Sequence, residues 1–370
     1  MTKHATLTSS EAALATAVLI HGPISRTALT ARLGLSPASL TRLAKPFLTR
    51  GIIVELDDTS TGSVGRPSRP LDISPGLGRF AGVKITGDRL YAVTTDVRAS
   101  MLDSAERELY GRTPAQVADA IVELLAGMSP PFTGVGICLG GSIRGGVVGH
   151  APFLGWHDVA FAELLRSRLH VPVVLQNDVV ALTEAERWFG YGRGLPGFVV
   201  ITIGAGVGYG LVVNDQVVTA ADTGLGMASH LVLDHASDGH PREAGELLTV
   251  ESIVSKVSSA SNRVLTYEQV VQLASDGDAQ ALPVVHAAAD ALGRLVAFAT
   301  TLTMQNVAVL AGEGIGLLDV ARDRVLATIA ENRRPDATPV ELTVDRSGFI
   351  AWARGAAAVA VQEAMRRLEL

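Results

Sequence analysis

From Arg79 onward the chain alternates short apolar runs with amphipathic ones, and this alternation restricts its fold most. FAGVKIT, LYAVTTDV, GVGICLGGSI, GGVVGHA, VPVVLQ, VAVLAGEG and ELTVD read as strands. Thr113–Met128, Val159–Leu169, a run from near Asn177, Glu251–Ser275, Ala279–Leu302, Gly316–Asn332 and Arg354–Leu368 read as helices. Such an order buries its apolar faces as a mixed sheet covered by helices, an α/β body. At 370 residues, 48% hydrophobic and 18% charged, the chain has material for two or three domains and is not a disordered one. Its one cysteine, Cys138, excludes an intramolecular disulfide framework and a cysteine-rich zinc module. The first 22 residues are too short and polar for a membrane span and lack a cleavage pattern, so a cytoplasmic protein with no membrane partner is expected.

The net charge of −6 argues against a nucleic-acid partner only until it is divided by region. Residues 1–70 carry eight basic and four acidic side chains, a balance of +4. The other 300 hold 23 basic and 33 acidic ones, a balance of −10. A basic head on an acidic body points to nucleic acid at one end.

Three helices are legible in that head. Ser9–His21 has apolar residues at helical spacing and stops at Gly22-Pro23. Ser25 can cap a second helix, SRTALTARL, which Gly34 ends. Ser36 as cap and Pro37 as first helical residue start a third, Pro37–Arg50, with Leu40, Leu43, Phe47 and Leu48 inward and Pro46 expected to kink it. After Gly51 come the apolar run IIVEL and a turn-rich tongue, DDTSTGSVGRPSRP. The pattern is a winged helix-turn-helix. Ser39, Thr41 and Arg42 are candidate readers of bases or backbone, Lys45 and Arg50 of phosphates, and Arg66 and Arg69, each directly before a proline, of the minor groove. The competing reading is a helical protein-interaction module with a linker.

Within the body, ITIGAGVGYG reads as a glycine-rich turn between two apolar strands. Taken alone, that motif is too degenerate to separate a phosphate cradle from a tight turn.

The order of these segments, with FLGWHDV, VPVVLQNDVVALTEAERWFGYGRG and GLGMASHLVLD, resembles the ROK family of repressors and sugar kinases over nearly the whole chain. The resemblance implies a winged helix-turn-helix (1–70), a linker (71–78) and a two-lobed, actin-like and hexokinase-like body. Lobe I would span 79–190, completed by 354–370, and lobe II 191–353. The head places the chain with the family's repressor branch, since the sugar kinases lack one. Family kinases open the body with D-x-G-G-T, whereas this chain has Lys84-Ile85-Thr86-Gly87-Asp88. Lys84 replaces the acid, Thr86 the first glycine and Asp88 the threonine, and a carboxylate at a phosphate cradle repels the anion. Gly204-Ala205-Gly206-Val207-Gly208 keeps its glycines but has Ala205 where kinases usually have threonine, and Ala311-Gly312-Glu313-Gly314 only approximates the adenosine-side glycines. The implied protein is therefore not an enzyme and has no ATP cofactor.

Asn177-Asp178 matches the family's Asn-Asp pair, whose Asp is the general base on the sugar hydroxyl. Here Asp178 is a vestigial base that would hold a ligand hydroxyl, or a helix cap, or both. Asn177, Asp178, His230 and Gly206 are the candidate effector-binding residues. Met227 replaces the acid of the family's sugar motif, which makes the pocket more apolar. His240, Arg242 and Leu247 fall at its three zinc cysteines and Thr249 at its final Glu; Arg242 and Leu247 are not ligands, so no metal is expected despite His230, His235 and His240. The expected partners are an operator in double-stranded DNA, a sugar or sugar-derived effector, and further copies of the chain in a homodimer or homotetramer. The alternatives are an ATP-dependent sugar kinase that also binds DNA, and a regulator with no small ligand.

Overall fold

The first three helices begin where side-chain oxygens take up backbone N–H groups that a helix start leaves unpaired. The computed structural model describes residues 7–57 and 69–367. Thr8 and Glu11 form a reciprocal capping box on α1 (Ser9–His21). Ser25 caps α2 (Arg26–Leu33), and Gly34 closes it at φ 62°, a left-handed conformation that glycine adopts without strain. Ser36 accepts from the Ser39 N–H to cap α3 (Pro37–Thr49), which runs unbroken through Pro46 and has Arg50 as its C-terminal cap. Pro46 is exposed on the solvent side.

The wing strands are β1 (Ile53–Glu55) and β2 (Leu71–Ile73), antiparallel with Ile53 opposite Ile73. Leu71–Ile73 therefore belongs to the head, not to a linker. Leu71 and Ile73 are fully buried, as are Leu14, Leu29, Leu40, Phe47 and Ile53, and leaving the strand out would expose that core. Arg66 and the rest of the tongue between 58 and 68 lie outside the described residues.

The contacts divide the chain into two units. One takes in Met1–Leu139, Arg144–Gln176 and Trp352–Leu370, the other Gly140–Ile143 and Asn177–Ala351. The head thus packs with the first lobe as one unit, and the division falls at 176/177 and 351/352 rather than 190/191 and 353/354.

In the first unit, β3 (Phe80–Ile85), β4 (Arg89–Thr95) and β5 (Met101–Glu108) form an antiparallel meander. β5, MLDSAERE, was not legible as a strand because it is a largely exposed edge. After α4 (Pro114–Ala126), β6 (Gly134–Leu139) runs parallel to β3. The short β7 (Ser142–Arg144), whose first two residues fall in the second unit, precedes a hairpin of β8 (Val147–Ala151) and β9 (Trp156–Val159), then α5 (Phe161–Leu169) and β10 (Val173–Asn177). The sheet order is β10-β6-β3-β4-β5. The Arg98 guanidinium ties head to lobe: it pairs with Asp72 and donates to the Gly22 carbonyl at 3.1 Å.

The second unit opens with α6 (Asp178–Phe189), followed by the hairpin β11 (Gly197–Ile203) and β12 (Val207–Val213), with β13 (Gln216–Val217) at its edge. α6 approaches β12 closely, since a Cβ at Gly208 would meet Val179 and one at Gly210 would meet Thr183. That packing is why α6 joins this unit. Next come β14 (Val232–His235), β15 (Pro241–Glu243), α7 (Ala244–Leu248), α8 (Val250–Ser261) and α9 (Tyr267–Ser275). The single helix expected over Glu251–Ser275 is two, because Asn262 turns left-handed at φ 52° and ends the first. α10 (Ala281–Thr303) packs on α11 (Leu318–Glu331), and β16 (Val307–Ala311) and β17 (Glu341–Val344) complete the sheet β13-β12-β11-β16-β17. α10 is long and apolar enough to cross a membrane, but Leu292, Leu295 and Val296 lie in this unit's core, as in a buried core helix. Finally α12 (Phe349–Arg367) returns to the first unit, where Cβ atoms on Gly82 of β3 and Gly136 of β6 would strike its backbone at Ala353 and Ala356.

Candidate DNA-reading face and ligand-binding residues

The amphipathic spacing of α3 buries Leu40, Leu43, Ala44 and Phe47 and leaves Thr41, Arg42 and Lys45 exposed on the other side. Ser39 is half-buried, and its hydroxyl meets that of Ser36 at 3.0 Å, so it serves the start of its own helix. The Thr41 hydroxyl donates back to the Pro37 carbonyl at 2.9 Å. Arg50 is exposed at the helix end and Arg69 at the edge of the wing. Arg26 of α2 is held by Glu55 of β1 at 2.5 Å, which couples the helix pair to the wing. Arg42 and Lys45 are the two cations that α3 offers to a surface ligand, while Ser39 and Thr41 are partly engaged by their own helix.

The β3–β4 turn closes on itself. Thr86 Oγ1 accepts the Arg89 N–H at 2.9 Å and lies 2.9 Å from Asp88 Oδ1, and the Asp88 carbonyl accepts from Leu109 at 2.7 Å. Lys84 is buried on β3. This turn presents a carboxylate where a phosphate cradle presents N–H groups.

The glycine turn between β11 and β12 has an occupant already. Ile203 pairs with Val207 across Gly204, Ala205 and Gly206, and Gly204 N–H donates to the Gly206 carbonyl at 3.0 Å. The outward N–H of Ala205 donates to Glu313 Oε1 at 2.8 Å. A Cβ on Gly204 would strike that same carboxyl group. Glu313 is brought there by Gly312, at φ 105° against the Ile203 carbonyl, and by Tyr267, whose hydroxyl donates to the Gly314 carbonyl and accepts from the Leu317 N–H. Burial raises the Tyr267 hydroxyl far above its ordinary range, which keeps it a neutral donor. A carboxylate from the chain itself thus sits on a backbone donor of the turn. The sequence clue was an acid inside the later glycine run, but nothing in its spacing points 108 residues back.

At the start of α6 the cap is Asn177, not Asp178. Asn177 Oδ1 accepts from Val179 and Val180 at 3.0 and 3.2 Å, and its Nδ2 donates to the Gly141 carbonyl at 3.0 Å. Asp178 is the first helical residue, half-buried, with Oδ1 accepting from Val179 at 2.9 Å and from Asn177 Nδ2 at 3.2 Å. A Cβ on Gly224 would meet the Gly141 carbonyl and Asn177 Nδ2, so the loop that carries the candidate sugar motif passes closely over this cap. The loop then forms the turn Met227–His230, and Ser229 Oγ accepts from Val207 N–H at 3.2 Å beside Gly206. The structure therefore gathers Asn177, the glycine turn and the Met227–His230 turn along β12. Met227 is exposed, and His230 Nδ1 lies 3.0 Å from Glu243 Oε2 on a solvent-facing side.

The residues at the family's zinc positions do not fit a zinc ion. Leu247 is buried in the core, and Arg242 lies between Asp234 at 3.7 Å and Glu246 at 3.4 Å. Thr249 caps α8. Ion pairs and an apolar anchor occupy the places where thiolates would converge.

Deeper in α6, Glu186 is 3% exposed and accepts from the Tyr191 N–H at 2.8 Å. Burial, with the Asp345 carboxylate beside it, pushes its carboxyl up to about 7. Sequence periodicity did not single it out, because an acid beside Glu184 and Arg187 on a helix reads as part of a charged surface.

The ROK family profile matches residues 80–363. The chain is 25% identical to the DNA-binding transcriptional repressor Mlc of Escherichia coli over 93% of its own length and 90% of that protein's. A ROK-family transcriptional regulator described as a homologue of the E. coli Mlc protein superposes with a TM-score of 0.79 at 20% identity, covering 96% of each chain. A ROK-family glucokinase from Streptomyces griseus, solved with glucose and AMPPNP, superposes at 0.66 and 22% identity; it is matched over its whole length but covers 77% of this chain. With the profile spanning most of the chain, this protein belongs to the ROK family.

Proposed function

We propose that this chain is a DNA-binding transcriptional regulator whose kinase-like body binds a small sugar or sugar derivative without phosphorylating it. The observation that carries the reading is the Glu313 carboxylate on the Ala205 N–H, which puts negative charge where a kinase needs donors for a nucleotide phosphate. The self-closed turn with Asp88 and the buried Lys84 act in the same direction. The winged head with Arg42 and Lys45 exposed on α3, and similarity to a repressor over nearly the whole of both chains, support DNA as the partner. Binding as a two-fold homodimer or a homotetramer places two heads on a pseudo-palindromic operator. Asn177, Asp178 and Gly206 would contact the effector, with the Met227–His230 turn beside them. Such a regulator works in the compartment that holds the chromosome.

The test is DNA affinity against salt, using operator fragments selected from the source genome. Arg42→Ala with Lys45→Ala should weaken binding and reduce the salt slope by about one unit per phosphate contact removed. An unchanged slope would remove α3 from the reading. A second reading, an ATP-dependent sugar kinase, is favoured by the Asp at the start of α6. Turnover of any of a panel of sugars with Mg-ATP, abolished by Asp178→Asn, would establish it instead.

A further inference from the structure

The β8–β9 hairpin carries two histidines that the regulator reading does not use. His150 and His157 are direct partners in the antiparallel register, flanked by the pairs Ala151–Trp156 and Val148–Val159. Direct cross-strand partners place their side chains on one face of a hairpin. Both are exposed to solvent. Their Nδ1 atoms lie 3.3 Å apart, the ring centroids 4.6 Å apart, and the ring planes are tilted by 36°. The nitrogens are closer than the centroids, so the two Nδ1 edges are turned toward each other.

That spacing has a chemical meaning. Two imidazole nitrogens, each about 2.0–2.1 Å from one tetrahedral zinc ion, stand about 3.3–3.4 Å apart. Cis ligands at right angles on the same ion would stand closer, at about 2.9 Å. The hairpin is also anchored: the Trp156 indole donates to the Arg112 carbonyl at 2.6 Å and packs on Phe161 with centroids 4.7 Å apart. A bound ion would therefore need small ring rotations and no strand movement, which lowers the ordering cost of binding.

We propose that His150 and His157 form a two-histidine site for a divalent cation of the zinc type, with water in the remaining positions. Imidazole suits zinc, copper and nickel over the hard cations calcium and magnesium. Among the described residues no third His, Cys, Asp or Glu joins the pair, so the ion keeps open positions, unlike a closed structural zinc site. The site lies in the first unit, whereas His230 and the loop at the family's zinc positions lie in the second.

Calorimetric titration of the full chain with zinc chloride tests the proposal. The expected result is a bound zinc ion whose affinity falls about tenfold or more in both His150→Ala and His157→Ala and is unchanged in His230→Ala. Copper(II) paramagnetic resonance gives a second reading that does not depend on heat: nitrogen coupling present in the native chain should diminish in either hairpin variant. Both side chains are exposed, and circular dichroism checks that the variants fold. Equal zinc affinity and equal copper spectra in the native chain, His150→Ala and His157→Ala would overturn the proposal and leave a pair that only shares a proton.

Discussion

Replacing Glu186 by Gln should change how stability depends on pH, and the size of the change follows from its surroundings. The native carboxyl titrates at about 7 against 4.5 when free, because burial on α6 penalises its charge and Asp345 adds to the penalty. A raised carboxyl pKa means that the folded state holds the proton more tightly than the unfolded state does. Its contribution is therefore fully present below about 4.5 and is lost as pH rises through about 7. A shift of about 2.5 units corresponds to about 3 kcal/mol across that window. Gln keeps the side-chain acceptor for the Tyr191 N–H and cannot ionise. Urea unfolding followed by the fluorescence of Trp188, two residues away on the same helix and buried, in a chain with Trp156 and Trp352 replaced by Phe, reads the unit that contains α6. The native chain should lose stability between pH 5 and pH 8 by about 2–3 kcal/mol more than Glu186→Gln does. Identical pH dependence of the two proteins would refute the reasoning and mean that Glu186 is charged throughout.

Three further outcomes are expected. Gly82→Ala drives a methyl group into the α12 backbone at Ala353, so the first unit should lose about 1–3 kcal/mol and melt several degrees lower; an unchanged melting temperature would mean that α12 can shift. Arg98→Ala removes the pair with Asp72 and the bond to Gly22, and should speed hydrogen exchange in α1 and β2 by about tenfold or more, whereas unaltered exchange would show that other contacts hold the head. Glu313→Ala frees the Ala205 N–H, and releasing an exposed charge-assisted bond of about 1 kcal/mol should tighten binding of a non-hydrolysable ATP analogue about fivefold. Equal affinity in the native chain and the variant would mean that Glu313 does not guard the turn.

Much of this molecule is local, and what is local can be read from residue order. The caps Ser25 and Ser36, the stop at Gly34 and the apolar stripe of α3 each depend on residues within four positions, and they specify the reading head before any contact is known. The alternation beyond Arg79 likewise determines a mixed sheet under helices, and the glycine spacing determines the tight turn of the β11–β12 hairpin. Tertiary structure decided everything that joins distant segments. β2 belongs to the head because it pairs with β1 across a long connection, and Arg98 binds that head to the first lobe. Asn177 rather than Asp178 caps α6, since the neighbouring Gly141 carbonyl fixes its amide. The Glu186 carboxyl is raised chiefly because the folded unit buries it, and Asp345, far along the chain, adds to the effect. Whether the glycine turn holds a phosphate or a carboxylate was likewise undecidable from spacing. Ala205 and Glu313 meet only because the parallel pairing of β11 with β16 sets the two turns side by side, and that pairing is a property of the folded sheet.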